Sequence, residues 1–134
     1  KSFDRVCCLY PCAPFVSMND LIEANQILEN YDNAKSVFPV VKYSFPIQRS
    51  LKLIGSNSFY NNPDNANSRS QDLEKSYHDA GQFYIMKSDI IYKNENIVGN
   101  ESHCIIKNEI DVQDIDTLTD WKLAEIKYNF KLNK

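Results

Sequence analysis

The chain has 134 residues, 43% hydrophobic and 25% charged, which suits one soluble globular domain with a modest core. Its formal net charge of −3 argues against nucleic acid as a partner of the whole molecule, and no apolar run approaches the ~18 residues of a membrane span. Neither exclusion touches a local basic pocket for a phosphorylated or carboxylate ligand.

In chain order, "VCCLY" (Val6–Tyr10) is a short continuous apolar run ended by Pro11. Such a run predicts a strand covered on both faces, as in a parallel sheet. After the loop "PCAPF", Ser17 precedes a helix with Asp20 three residues on, a capping-box-like start. Leu21, Ala24, Leu28 and Tyr31 then recur on one helical face. "SVFPVVKYSF" (Ser36–Phe45) predicts a second strand, although Pro39 argues against a central hydrogen-bonded place. "LKLI" and "SFY" flank Gly55-Ser56-Asn57 as a hairpin, and the polar stretch Asn61–Ser76 predicts an exposed loop. "GQFYIM" predicts a strand, Ser88–Tyr92 a short helix and "CIIK" a further strand. Thr117 and Asp120 predict a second cap, with Trp121, Ala124, Ile126 and Tyr128 on the helix that follows.

The four cysteines are Cys7, Cys8, Cys12 and Cys104. C-C-x3-C is not a zinc spacing, so reduced core thiols in a cytosolic protein are expected. No G-x-G-x-x-G and no G-x-x-x-x-G-K-[ST] occurs, so the chain holds no phosphate-cradling glycine loop of those types.

Three constellations carry chemistry. Asp114 and Asp116 lie two residues apart, and an extended backbone points both carboxylates to one side. Like charges so placed repel unless a cation lies between them, and Mg²⁺ takes one or two such carboxylates plus substrate phosphates. The plainer alternative is that both decorate a helix N-terminus, where negative charge is favoured. Arg49 and Arg69 lie amid few other positive charges, and guanidinium suits carboxylate or phosphate, or simply solvent. The third is "SYHDAGQFYIM", where Tyr77, His78, Asp79 and Gln82 surround Gly81 at the mouth of a strand. His78 and Asp79 point opposite ways on an extended chain, which leaves a polar ligand-recognition edge rather than a dyad.

"LYPCAPF", "FPIQR", "RSQDLEKSYHDAGQFY" and "DIDTLTDWKLAE", in this order, resemble the acylneuraminate cytidylyltransferase family. "FPIQR" and "SYHDAGQFY" look most like the branch acting on pseudaminic acid, and the likeness runs from about Val6 to Ala124. The resemblance implies an α/β fold of three layers, a Rossmann-like mixed sheet of the nucleotide-diphospho-sugar transferase type with an antiparallel dimerisation arm. On that footing residues 1–134 form one partial domain, with 45–76 as the arm and loop insertion. It further implies transfer of CMP from CTP to a nonulosonic acid with release of pyrophosphate, Mg²⁺ as cofactor, a homodimer and a cytoplasmic setting. Asp114 and Asp116 match the family's metal-binding, catalytic aspartates. Arg69 matches an arginine that reaches the sugar carboxylate from the partner subunit, and Arg49 falls near a basic position of the same arm. Gln82, Tyr84 and Gly81 fall where the sugar pocket is lined. Tyr10 stands where sialic-acid enzymes carry glutamine, which points to another nonulosonic acid. The family's opening basic loop, which holds the CTP phosphates, has no counterpart here. The chain is therefore expected to be a C-terminal piece, a poor catalyst alone, with a sheet face or edge left uncovered. A non-catalytic remnant that only dimerises, or an enzyme for sialic or legionaminic acid, are the other readings.

Overall fold

A computed structural model describes residues 2–133. They form a mixed α/β arrangement that divides into two compact units. One runs to Val41 and resumes at Asp79, and the other is Lys42–His78.

The larger unit is built on a sheet. Its strands are β1 (Arg5–Leu9), β2 (Ser36–Lys42), β6 (Phe83–Lys87) and β7 (Ser102–Lys107), and Asp79, the last residue of β5 (Tyr77–Asp79), belongs to it. The order is β1-β6-β2-β5, with β7 parallel to β2. β1 and β2 both pair with β6 in antiparallel fashion. Helix α1 (Met18–Asn30) covers one face, where Ala24 and Leu28 pack with Val37, Phe83, Ile85 and Ile105. Its start is the expected capping box: Ser17 Oγ accepts from Asp20 N at 3.2 Å and Asp20 Oδ2 accepts from Ser17 N at 3.3 Å. Asp20 has a second partner, since Lys107 Nζ donates to its Oδ1 at 2.5 Å from the end of β7. The pair is nearly closed to solvent, with side chains 7% and 15% exposed, and it ties the helix start to the sheet. Helix α2 (Ser88–Lys93) follows β6 directly, and α3 (Leu118–Leu132) ends the described chain.

Two expectations are corrected. β1 is an antiparallel strand, the outermost at its end of the sheet among the described residues, and Cys7, Cys8 and Leu9 are exposed. All four cysteines are free and exposed rather than core thiols. A five-residue apolar run carries no sign of how many neighbours it has, so an edge strand and a doubly covered one read alike. Pro39, by contrast, does lie inside β2, fully buried.

The proline is tolerated because of what faces it. Ser36 pairs with Met86 and Val37 with Ile85, so an unbroken ladder would set Pro39 against Phe83. Instead Pro39 O accepts from Ala80 N at 3.0 Å, three residues earlier. The partner chain bulges away between β5 and β6, at the side of β2 where Pro39 has no N–H to offer. The bulge carries Gly81, at φ +62°.

The smaller unit holds the hairpin of β3 (Leu51–Ile54) and β4 (Asn57–Tyr60), with Leu51 opposite Tyr60. Gly55 at φ +61° followed by Ser56 fits a two-residue type II′ turn. Both strands are exposed. Short 3₁₀ turns at Pro63–Asn65 and Ser70–Asp72 punctuate the loop expected there.

Candidate active site

The larger unit gathers polar groups around the bulge. A Cβ placed on Gly81 would stand 3.2 Å from Asp114 Oδ2 and 3.3 Å from its Cγ. The glycine is therefore required twice, by its positive φ and by the close approach of Asp114. Asp114 and Gly81 are far apart in sequence; the turn at Glu109–Asp111 and the extended residues after it bring the carboxylate back to the sheet. Gln82, fully buried, anchors that turn by donating from Nε2 to Asp111 O at 2.9 Å, and its Oε1 has no partner among the described residues. Lys127 Nζ and Lys131 Nζ of α3 hold the same turn through Val112 O at 2.6 Å and Asp111 Oδ1 at 2.7 Å. Burial pushes the Lys127 ammonium below its ordinary value, and the nearby Glu109 partly offsets this.

Asp116 stands just before the cap of α3. The helix start is already served, because Asp120 Oδ2 accepts from Thr117 N at 2.8 Å, Thr117 Oγ1 at 2.7 Å and Asp116 N at 3.3 Å. Capping thus accounts for Asp120, while Asp116, one residue before Thr117, lies at the helix N-terminus as the plainer alternative has it. Both are exposed. Among the described residues no group of three or more His, Cys, Asp or Glu forms a ready cage for a metal. Two solvent-facing carboxylates fit Mg²⁺ in the manner in which that ion shares its shell with water and substrate phosphates.

The wall beside Gly81 is aromatic. Tyr10 follows β1, and its N–H donates to Gln82 O at 2.9 Å. Its ring meets Tyr84 edge-on at 5.8 Å, and Tyr84 meets Phe38 at 5.3 Å. Tyr10 and Tyr84 line an open cavity of about 510 Å³ with Glu95, Asn96, Ile97 and Val98. Partial burial, followed by the charges of Asp79, Cys8 and Asp114, raises the Tyr10 phenol above its ordinary value. Asp79 Oδ1 accepts from Gly81 N at 2.8 Å, and Asp79 Oδ2 accepts from Tyr84 Oη. Of the residues expected at the site, the larger unit brings Tyr10, Gly81, Tyr84 and Asp114 together, with Gln82 behind them.

Asp79 was named at the strand mouth from sequence, yet its two bonds were not foreseen. The signal was present in "DAG", since aspartate two residues before a glycine often bonds that glycine's N–H. The loop from Glu95 to Val98 carried no signal at all.

The arginines lie in the smaller unit. Arg69 Nε donates to Asp72 Oδ2 at 2.8 Å, a surface i,i+3 pair. Arg49 Nη1 reaches Ser70 Oγ at 3.5 Å, beside Arg69 in sequence, and Arg49 Nε is buried without a partner among the described residues.

No family model matches the chain. Individual proteins do. It is 37% identical over 128 residues to pseudaminic acid cytidylyltransferase of Campylobacter jejuni subsp. jejuni serotype O:23/36 (strain 81-176), covering 94% of this chain and 54% of that protein. The enzyme of the same name from Campylobacter jejuni serotype O:2 is 36% identical over the same share. A Helicobacter pylori protein named as both a pseudaminic acid cytidylyltransferase and a UDP-2,4-diacetamido-2,4,6-trideoxy-beta-L-altropyranose hydrolase is 27% identical over 125 residues, 24% of its length. Over nearly its whole length the chain is similar to pseudaminic acid cytidylyltransferases, and it spans about half the length of the first two relatives.

Proposed function

We propose that the complete protein transfers CMP from CTP to pseudaminic acid. The anomeric hydroxyl oxygen bonds to the α-phosphorus, the bridging bond to the β-phosphate breaks, pyrophosphate leaves, and the hydroxyl proton passes to solvent. The observation that carries this reading is the carboxylate of Asp114 packed on Gly81, with Tyr84 tied to that glycine through Asp79 and Tyr10 bonded to the next residue, in a chain so similar over 94% of its length. Asp114 and Asp116 would hold Mg²⁺, whose part is to neutralise phosphate charge. Gly81 lets the ligand approach the backbone, and Tyr10 and Tyr84 flank the sugar body. Arg69, with Arg49 behind it, meets the sugar carboxylate as the contribution of a second copy in a homodimer, the Rossmann-like domain acting in the cytoplasm.

The experiment is Mg²⁺-dependent pyrophosphate release from CTP by the complete natural protein, offered pseudaminic, sialic and legionaminic acids in turn. Release with pseudaminic acid well above the others is expected. No release with any of the three refutes the proposal. Residues 1–134 taken alone, half the length of the relatives, are expected to release none. Turnover by that piece would show that it carries every group the reaction needs.

A further inference from the structure

One carboxylate at the site has no part in the reaction as written. Asp79 ends β5, and its two oxygens have different partners, Gly81 N at 2.8 Å and the phenol of Tyr84. The first bond is an Asx turn, and it holds the glycine in the positive-φ conformation that faces Asp114. The second fixes the direction of a ring already wedged between Tyr10 and Phe38. A phenol has one hydrogen. With that hydrogen given to Asp79, Tyr84 Oη can only accept from any other neighbour.

We infer that Asp79 is a positioning residue for the sugar acid: it orients Tyr84 so that the phenol oxygen meets the ligand as an acceptor, selecting a hydroxyl or amide N–H there and turning away carboxylate and phosphate oxygens. The inference rests on the cytidylyltransferase reading and names the recognition chemistry of one wall of that site. The charge of Asp79 works in the same sense, because a ligand anion placed on Tyr84 would also lie close to this carboxylate.

The test is a double-mutant cycle in the complete natural protein. Tyr84→Phe removes the acceptor. Asp79→Ser removes the partner of Tyr84 while its hydroxyl still serves Gly81 N in the manner of an ST turn. Each should raise KM for the sugar acid roughly three- to tenfold, the ratio that goes with one net hydrogen bond, and leave KM for CTP unchanged. Together they should cost no more than about twice the larger single effect, since Asp79 has nothing left to orient. Asp79→Asn has one acceptor oxygen where two are in use, so its NH2 must face either Gly81 N or Tyr84 Oη, and it should raise KM for the sugar acid as Asp79→Ser does. By NMR, a protected phenolic hydroxyl proton of Tyr84 should be visible in the natural protein and lost in Asp79→Ser. An active enzyme in which the two single effects multiply, or in which Asp79→Ser raises both KM values alike, overturns the role of Asp79 alone. A natural protein that shows the hydroxyl proton yet turns over no nonulosonic acid overturns the cytidylyltransferase reading and this inference with it.

Discussion

Gly81→Ala tests the centre of the site, and two separate terms set its size. Alanine at φ +62° meets the ordinary penalty for a left-handed backbone, about 1–2 kcal/mol. The new Cβ also lies 3.2–3.3 Å from the Asp114 carboxyl, tighter than an easy contact. Asp114 is exposed and can swing aside by a few tenths of an ångström, so the contact adds little to the stability loss. Its effect falls on where the carboxylate stands. A 1 Å misplacement can cost ~100-fold in rate, so this smaller shift should cost roughly tenfold. Asparagine tolerates positive φ yet carries the same Cβ, so Gly81→Asn separates the terms. Urea denaturation of the complete protein should show a loss of about 1–2 kcal/mol for Gly81→Ala and distinctly less for Gly81→Asn. Pyrophosphate release against Mg²⁺ concentration should show both variants needing more Mg²⁺. If both variants matched the natural protein in Mg²⁺ demand, Asp114 would not be acting at the position the glycine reserves for it.

Asp116→Asn in the complete protein should remove most turnover while the unfolding midpoint stays put, because Thr117 and Asp120, not Asp116, form the capping box of α3; retained turnover would end its assignment as a metal ligand. Arg69→Ala should raise the sugar-acid requirement more than the CTP requirement in steady-state kinetics, and equal effects would detach it from the carboxylate. Asp20→Asn should destabilise by roughly 2–4 kcal/mol in denaturant titrations, since it leaves Lys107 nearly buried and uncompensated. Burial alone would raise the Asp20 carboxyl, but its bonds with Lys107 and Ser17 prevail and hold it below the ordinary value. Its stabilising contribution is therefore complete above the normal carboxylate range and is lost as pH falls through the depressed value. A stability profile in which Asp20→Asn and the natural protein ran parallel from pH 6 down to about pH 2 would contradict that reasoning.

What was legible in the sequence was local. Ser17 with Asp20, and Thr117 with Asp120, announce two capping boxes because the partners lie three residues apart and bond to each other's backbone. The hairpin at Gly55 is likewise announced by its own residues. What was not legible depends on partners far along the chain. Nothing near Asp20 shows that Lys107 will reach it. Nothing in "VCCLY" shows that the strand borders solvent instead of two neighbours. At the site, the resemblance joins Tyr10, Gly81, Tyr84 and Asp114, whereas the residues by themselves offer the Asp114–Asp116 pair and the polar edge around Gly81 as separate features. The contact of Asp114 with Gly81 arises from a turn held by Gln82, Lys127 and Lys131, three residues whose identities say little in isolation.

The slip opposite Pro39 has a further effect, one of parity. Side chains alternate along a strand, so residues 79 and 84, an odd number apart, would point to opposite sides of an unbroken one. Three extra residues, again an odd number, reverse the alternation, and Asp79 emerges on the side that Tyr84 occupies. Lengthening or shortening that excursion by a single residue would send the acid to the far surface, whereas a change of two would leave it within reach. The excursion opposite a proline that has no hydrogen to donate on that side thus sets, by odd and even count, which surface of the sheet receives the acid.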